Sequence, residues 1–168
     1  VGGSIPGNFI PSIEKGVRQV LADGAVAGYP MQDGKVSVYD GEHHPADSKD
    51  IAFATAGRKA FLDAVDKARP VILEPIVKIR VVAPDSCMGD LAGDLSSRRG
   101  RISGSESKSR GRIAIDGEVP LAELNGYDQR LKAITGGEGT YQIELSHYEA
   151  VPGNIQKQLA EAYERAED

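Results

Sequence analysis

The stretch from Glu74 to Pro120, EPIVKIRVVAPDSCMGDLAGDLSSRRGRISGSESKSRGRIAIDGEVP, decides how the chain folds. Val77, Ile79 and Val81 alternate with Lys78 and Arg80, the period of a strand with one buried face. Helical spacing takes over from about Ser86 to Arg99, with Met88, Leu91 and Leu95 on one face and Gly100 as the expected C-cap. Two strands follow, Ile102 to Ser107 and Arg112 to Val119, joined by a polar loop holding Lys108, Ser109, Arg110 and Gly111.

Beyond Pro120 the pattern completes itself. A helix is expected from Leu121 to Ile134, carrying Leu121, Leu124, Leu131 and Ile134 and ended by Gly136-Gly137. A last strand, Thr140 to Tyr148, sets Tyr141, Ile143 and Leu145 against Gln142, Glu144 and Ser146. The order β-α-β-β-α-β is that of a ferredoxin-like domain. After Pro152 an amphipathic helix carries Ile155, Leu159 and Tyr163 at intervals of four, so it must pack on something to be stable.

The residues before Glu74 read differently. Pro11 suits a first helical turn, and Ile10, Ile13, Val17, Val20 and Leu21 paint one stripe before Gly24 stops the helix. Gly24 to Pro30, GAVAGYP, reads as a loop, small and apolar with one aromatic. Lys35 to Tyr39 is expected as a short strand closed by the Asp40-Gly41 turn. A second helix should start near Asp47 or Ser48, capped by Asp47 and Asp50, and run to about Ala68. Its expected buried face is Ile51, Ala54, Phe61, Ala64, Val65 and Ala68, small enough to approach a sheet closely. Arg69-Pro70 ends it, and Glu74-Pro75 reads as a domain joint.

Composition narrows the chemistry. The chain has 168 residues, a net charge of −5 and one cysteine, so it is no polycation and has no internal disulfide. That cysteine usage fits a reducing cytoplasm. No apolar run is long enough for a bilayer, and Val1 to Phe9 lacks the regions of a signal peptide. Charge is uneven, however: Arg98, Arg99, Arg101, Lys108, Arg110 and Arg112 lie close together with Glu106 as the sole acid among them.

Tests for catalytic and cofactor motifs come out negative. The Gly34-Lys35 pair lacks the upstream glycine and the following Ser or Thr of a phosphate-binding loop, so no GTP site is expected. His43, His44, His147 and Cys87 fit no zinc pattern, and no metal or other cofactor is expected in this chain. Cys87 has no partner base in any sequence signature and reads as a small residue near a helix cap. The central strands of the second domain carry no aromatic side chain, which argues against base stacking on the sheet face. RNA contact there would have to run through helix ends, loops and the arginine cluster, as phosphate contacts.

Seven stretches, taken in order, carry a resemblance: VGGSIPGNFIPSIEKGV, GAVAGYP, DGEHHPADSKDIAF, ILEPIVKIRVVAP, MGDLAGDLSSRRGRI, VPLAELNGYDQRLKAITGGEGTY and SHYEAVP. Together they resemble the C-terminal region of bacterial elongation factor G over almost the whole chain. The resemblance implies an α+β molecule: a partial βαβ-type, ribosomal-protein-like domain followed by a ferredoxin-like βαββαβ domain. It assigns 1–73 to the C-terminal part of the fourth domain, with the 151–168 helix packing back on it, and 74–150 to the fifth. The family's fourth domain begins with further strands not found here, which implies an unpaired sheet edge and self-association through it.

In that family the fourth domain enters the decoding site and holds the tRNA–mRNA pair during translocation, and GTP and magnesium bind in an N-terminal domain. The resemblance therefore implies a non-enzymatic, cytoplasmic piece of a translational GTPase whose partners are rRNA of both subunits and the tRNA–mRNA pair, with no membrane contact. His44 falls on the family's tip histidine, beside His43, and Gly24 and Gly28 fall in the second tip loop, Gly24 to Pro30, where Tyr29 is expected to pack and not to make a contact. Arg98, Arg99 and Arg101 fall on the family's rRNA-facing basic segment. Glu42, His43, Pro45 and Lys49 depart from the usual tip residues, which points to a divergent, elongation factor G-like paralogue. Two rival readings are a fragment of a tetracycline ribosomal protection protein and a ferredoxin-like module that binds a small metabolite.

Overall fold

A computed structural model describes residues 5–44 and 49–167. Two compact units emerge, one made of residues 1–72 with 152–168 and the other of 73–151. The mixed helix-and-sheet reading holds.

In the first unit, helix α1 (Ile10–Asp23) and helix α2 (Asp50–Lys67) pack on each other. Pro11 sits in the first turn of α1, and Gly24 ends the helix at φ 83°, its N–H bonded to the Val20 carbonyl. Ile13, Val17 and Val20 are buried as expected, while Ile10 is pushed toward solvent. In α2 the buried line is Phe53, Gly57 and Val65 with Phe61 alongside, an i, i+4 row. Ile51, expected inside, is 74% exposed, and Ala64 and Ala68 are exposed too. The face is set by Phe53, whose ring stacks on Phe9 with centroids 4.3 Å apart. An aromatic pair holds more apolar area than a row of alanines, so it fixes the helix rotation.

The small residues of α2 do allow close approach, but to a helix and not to a sheet. A side chain at Gly16 would run into the Ala54 carbonyl, and one at Gly57 would meet Ile13 at 2.9 Å. The expected strand Lys35–Tyr39 does not form; these residues are exposed and irregular. Among the described residues no strand of this unit lies beside them, and an extended segment without a ladder partner is not a strand. The expected cap Asp47 lies outside the described residues; Asp50 instead accepts a hydrogen bond from Ser12 of α1.

Helix α5 (Gly153–Glu167) belongs to this first unit. Ile155, Leu159 and Tyr163 form its half-buried stripe. The Gln156 amide bonds both the Ile72 N–H (3.0 Å) and the Pro70 carbonyl (2.9 Å), satisfying backbone groups beyond the end of α2.

The second unit is a four-stranded antiparallel sheet in the order β2-β3-β1-β4, with β1 Leu73–Pro84, β2 Arg101–Lys108, β3 Arg112–Pro120 and β4 Thr140–Ala150. Helices α3 (Met88–Ser97) and α4 (Tyr127–Thr135) cover one face. Val77, Ile79 and Val81 from β1, Ile113 and Ile115 from β3, Leu91 and Leu95 from α3, and Tyr127 and Leu131 from α4 form the core. The second helix is shorter than its apolar spacing suggests. Leu121–Leu124 is a 3-10 turn, and the chain breaks at Asn125-Gly126, where Gly126 takes φ 70°. That left-handed residue lets α4 restart with Tyr127 aimed into the core.

Glycines in the two units give opposite expectations. Gly16→Ala gains helix propensity but drives a methyl into backbone, so it should cost the first unit about 1–3 kcal/mol. Gly93 in α3 has open space around it, so Gly93→Ala should stabilise the second unit by up to about 1 kcal/mol. Urea unfolding of the two variants measures both.

Candidate nucleic-acid interface

The candidate tip lies in the first unit. Loop 24–30 owes its shape to two left-handed glycines. Gly24 (φ 83°) has no room for a side chain, because the Tyr29 N–H would lie 2.6 Å from it. Gly28 (φ 71°) sits against the Tyr163 ring of α5, 2.7 Å from where a side chain would begin. Gly28 does the packing that was expected of Tyr29, and Tyr29 itself is 53% exposed. A loop closed by backbone leaves its one large side chain outside.

His43 and His44 are exposed and sit directly before the residues outside the description. The segment leading to them is tied at two points. The Met31 N–H bonds the Leu21 carbonyl of α1 at 2.8 Å. Gly41 lies close against Ile5, which packs on the Ile13, Val17 and Phe53 cluster. Between these ties Tyr39 is 97% exposed. Two imidazoles and two phenol rings, those of Tyr29 and Tyr39, thus face solvent in this unit, all of them able to hydrogen-bond and to stack.

In the second unit Arg98, Arg99 and Arg101 gather around a helix end, while Lys108, Arg110 and Arg112 lie at the other end of β2. After Ser97 the chain closes in a left-handed turn: Gly100 N–H donates to the Leu95 carbonyl at 2.8 Å and Arg99 N–H to the Ser96 carbonyl at 3.2 Å. The left-handed residue is Arg99 (φ 60°), not Gly100 as expected. Gly100 is needed for space, since a side chain there would lie 2.6 Å from the Leu95 carbonyl.

That backbone turn aims Arg99 inward. Its guanidinium makes two parallel bonds to Glu74, at 2.7 and 2.9 Å, and a third to Glu123 at 2.8 Å. The Glu74 side chain is only 10% exposed. The hydrogen bond to Glu74 outweighs burial and raises the Arg99 pKa further. Arg98 bonds Asp94 at 2.9 Å and the Glu123 carbonyl, and lies over the Tyr127 ring at 5.2 Å. Burial pushes the Tyr127 hydroxyl up to about 12. Arg101 pairs with Glu149 at 2.7 Å but remains 65% exposed. Arg112 is held by the Val82 and Glu138 carbonyls, and Lys108 by Glu106.

Arg110 differs from its neighbours. It sits in the turn between β2 and β3, where Arg110 (φ 61°) and Gly111 (φ 66°) are both left-handed. It is exposed, and among the described residues no carboxylate pairs with it. Of the expected phosphate contacts Arg98, Arg99 and Arg101, the first two are therefore occupied by internal partners, and Arg101 is held only by a solvent-exposed pair. Cys87 is the cap residue before α3, its thiol directed at the Ile134 carbonyl at 3.6 Å. No group of three or more His, Cys, Asp or Glu among the described residues is arranged to hold a metal. No helix among them is long and apolar enough to cross a membrane.

Two outcomes follow from this geometry. Arg99→Ala strands Glu74 with no counter-charge and keeps the left-handed backbone, so it should destabilise the second unit by roughly 3 kcal/mol. Arg99→Gly removes the backbone strain at the same time and should cost ~1 kcal/mol less; urea titration of both reads the difference. Acid should also weaken this unit. The Arg80 hydrogen bond holds Asp116 below the ordinary carboxylate range, and His147 and then Arg101 do the same for Glu149. The unfolded chain therefore takes up these protons first, so stability is full at neutral pH and falls as pH drops through about 4. Denaturation at a series of pH values should give a shallower acid slope for the Asp116→Asn, Glu149→Gln variant.

Comparison with known proteins divides the sequence near residue 70, although the second match runs on into α5 of the first unit. The family description "Elongation factor G, domain IV" matches residues 1–69, and "Elongation factor G C-terminus" matches 71–159. An "Elongation factor G-like protein" of Thermotoga maritima is 44% identical over 165 residues, which is 98% of this chain and 24% of that protein. A crystal structure of a protein from Thermus thermophilus superposes with a TM-score of 0.73 at 40% identity, covering 100% of this chain and 25% of that one. This chain thus spans about a quarter of the length of the relatives it matches. The chain belongs to the elongation factor G family, of which it holds domain IV and C-terminal sequence.

Proposed function

We propose that this chain is the ribosome-binding arm of a translational GTPase and promotes the GTP-driven movement of tRNA and mRNA during protein synthesis. The arm is not the enzyme. GTP and its magnesium ion bind in another domain of the parent protein, and the arm works in the cytoplasm against rRNA of both subunits and the tRNA–mRNA pair. The observation that carries this reading is the pair of consecutive family matches, domain IV and then C-terminus, which change over between residues 69 and 71, next to the boundary between the compact units.

Within the arm, His44 and His43 are the tip contacts, and Gly24 and Gly28 shape the second tip loop so that Tyr29 is presented outward. A histidine at such a tip donates hydrogen bonds to RNA backbone and stacks on a base or ribose. In the second unit Arg110 and Arg101 meet rRNA phosphate, each by the planar fork that suits two parallel bonds. Arg98 and Arg99 act by holding the corner from which Arg101 projects, while Arg110 stands at the other end of β2.

Two measurements on the intact parent test this. His44→Ala should slow single-round translocation by about tenfold, the effect of losing ~1.4 kcal/mol of transition-state contact. An unchanged rate removes His44 from the mechanism. Arg110→Glu should weaken ribosome binding and lower the slope of log affinity against log salt by about one. An unchanged slope removes the phosphate contact at the hairpin tip.

A further inference from the structure

His147 of β4 sits inside a chain of hydrogen bonds that joins β4 to β3 and β2. Its Nδ1 lies 2.9 Å from the Ser146 hydroxyl and its Nε2 2.8 Å from Oε1 of Glu149. Ser146 is the extra residue where the pairing of β1 with β4 shifts, between Leu145 opposite Val77 and His147 opposite Ile76. Its hydroxyl donates to Glu118 of β3 at 3.0 Å. The same Oε1 of Glu149 accepts from Arg101 of β2 at 2.7 Å. Arg101 and His147 therefore share one carboxylate oxygen. From β1, the charged neighbours among the described residues are Lys78, opposite Glu118, and Glu74, opposite Glu149 and already held by Arg99.

The chain of bonds is complete in only one protonation state. An ionised carboxylate accepts hydrogen bonds and donates none. Glu149 must therefore receive the Nε2–H of His147, and Glu118 must receive the hydroxyl hydrogen of Ser146, which leaves the Ser146 oxygen to accept from Nδ1–H. All three bonds coexist when both ring nitrogens carry a proton. A neutral ring keeps one N–H, so either Glu149 loses a donor or the Ser146 hydroxyl turns away from Glu118 to the bare nitrogen. Imidazole is the side chain that makes this change between about pH 5 and 8. The charge balance changes with it. With His147 protonated, two cations face the two carboxylates Glu149 and Glu118; with it neutral, Arg101 alone faces them, and an incoming phosphate meets a net negative corner. Resting on the reading that Arg101 meets rRNA phosphate, we propose that His147 is a positioning residue whose proton frees Arg101 from Glu149 for that contact and whose neutral form leaves Arg101 locked to the carboxylate. Phosphate binding then takes up a proton, so affinity falls as pH rises.

Ribosome affinity of the intact parent, measured at about pH 6 and about pH 8 at one salt concentration, tests the proposal. His43 and His44 titrate in the same range, so the quantity that matters is the part of the pH dependence that His147→Gln removes. That part should be about threefold, the size expected for ion pairs open to solvent. In an Arg101→Ala background His147→Gln should remove nothing further. Glu149→Gln takes away the carboxylate that holds Arg101 and should raise affinity at about pH 8 to at least the wild-type value at about pH 6, a gain that misfolding cannot produce. If Arg101→Ala changes neither affinity nor salt slope, the phosphate contact of Arg101 falls and the proposal falls with it. If Arg101→Ala weakens binding but His147→Gln leaves the pH dependence intact, or Glu149→Gln brings no gain, the contact stands and the role of His147 alone is overturned.

Discussion

A carboxylate almost out of water at the start of a strand needs a counter-charge, and the second unit is organised around meeting that need. Glu74 is the second residue of β1, and Arg99 reaches it with a two-pronged bond. Arg99 can do so because it occupies the left-handed position that closes α3, a backbone state that costs a non-glycine residue about 1–2 kcal/mol. The ion pair keeps that state populated, and that state aims the guanidinium inward. Glu123 completes the clamp from the 3-10 turn after β3, so strand, helix end and turn are fixed to one another by a single side chain.

This arrangement changes what the arginine cluster means. Along the sequence it is a run of bases with hardly an acid. In space, Glu74, Glu123 and Glu149 arrive from other elements, Asp94 lies one turn back in α3, and together they pair with Arg98, Arg99 and Arg101. A charge run read in one dimension cannot see partners that are distant along the chain. Arg110, in the turn at the opposite end of β2, stays clear of them. In the first unit the same logic runs through glycine: Gly24 and Gly28 fill the loop's interior with backbone, and Tyr29 is left outside as a consequence.

Much of the second unit was legible because its strands alternate cleanly and its helices begin and end at strong signals. The period-two pattern of Val77, Ile79 and Val81 gave β1, and its burial agrees position by position. The break at Asn125-Gly126 escaped because Leu121, Leu124 and Leu131 keep helical spacing across it, and spacing carries no information about one left-handed residue. In the first unit, Lys35–Tyr39 has the composition of a strand, but strand formation depends on a partner and not on composition. The face of α2 was misjudged because a row of alanines and a single phenylalanine compete for the interior, and the stacked ring wins. His44 was legible only through family resemblance, since an exposed loop histidine carries no signature of its own. Gln156 could not be found at all: nothing in its sequence neighbourhood says that it will satisfy backbone many residues away.

The clamp is the claim on which the rest stands, and a double-mutant cycle on Glu74 and Arg99 tests it most directly. Glu74→Gln, Arg99→Gln and the double variant would each be unfolded in urea. If the two side chains stabilise the corner as one unit, the double variant costs far less than the two single variants added together, with a coupling of about 2–3 kcal/mol. Additive costs would mean that Arg99 is merely lodged beside Glu74, and the corner would have to be held by something else.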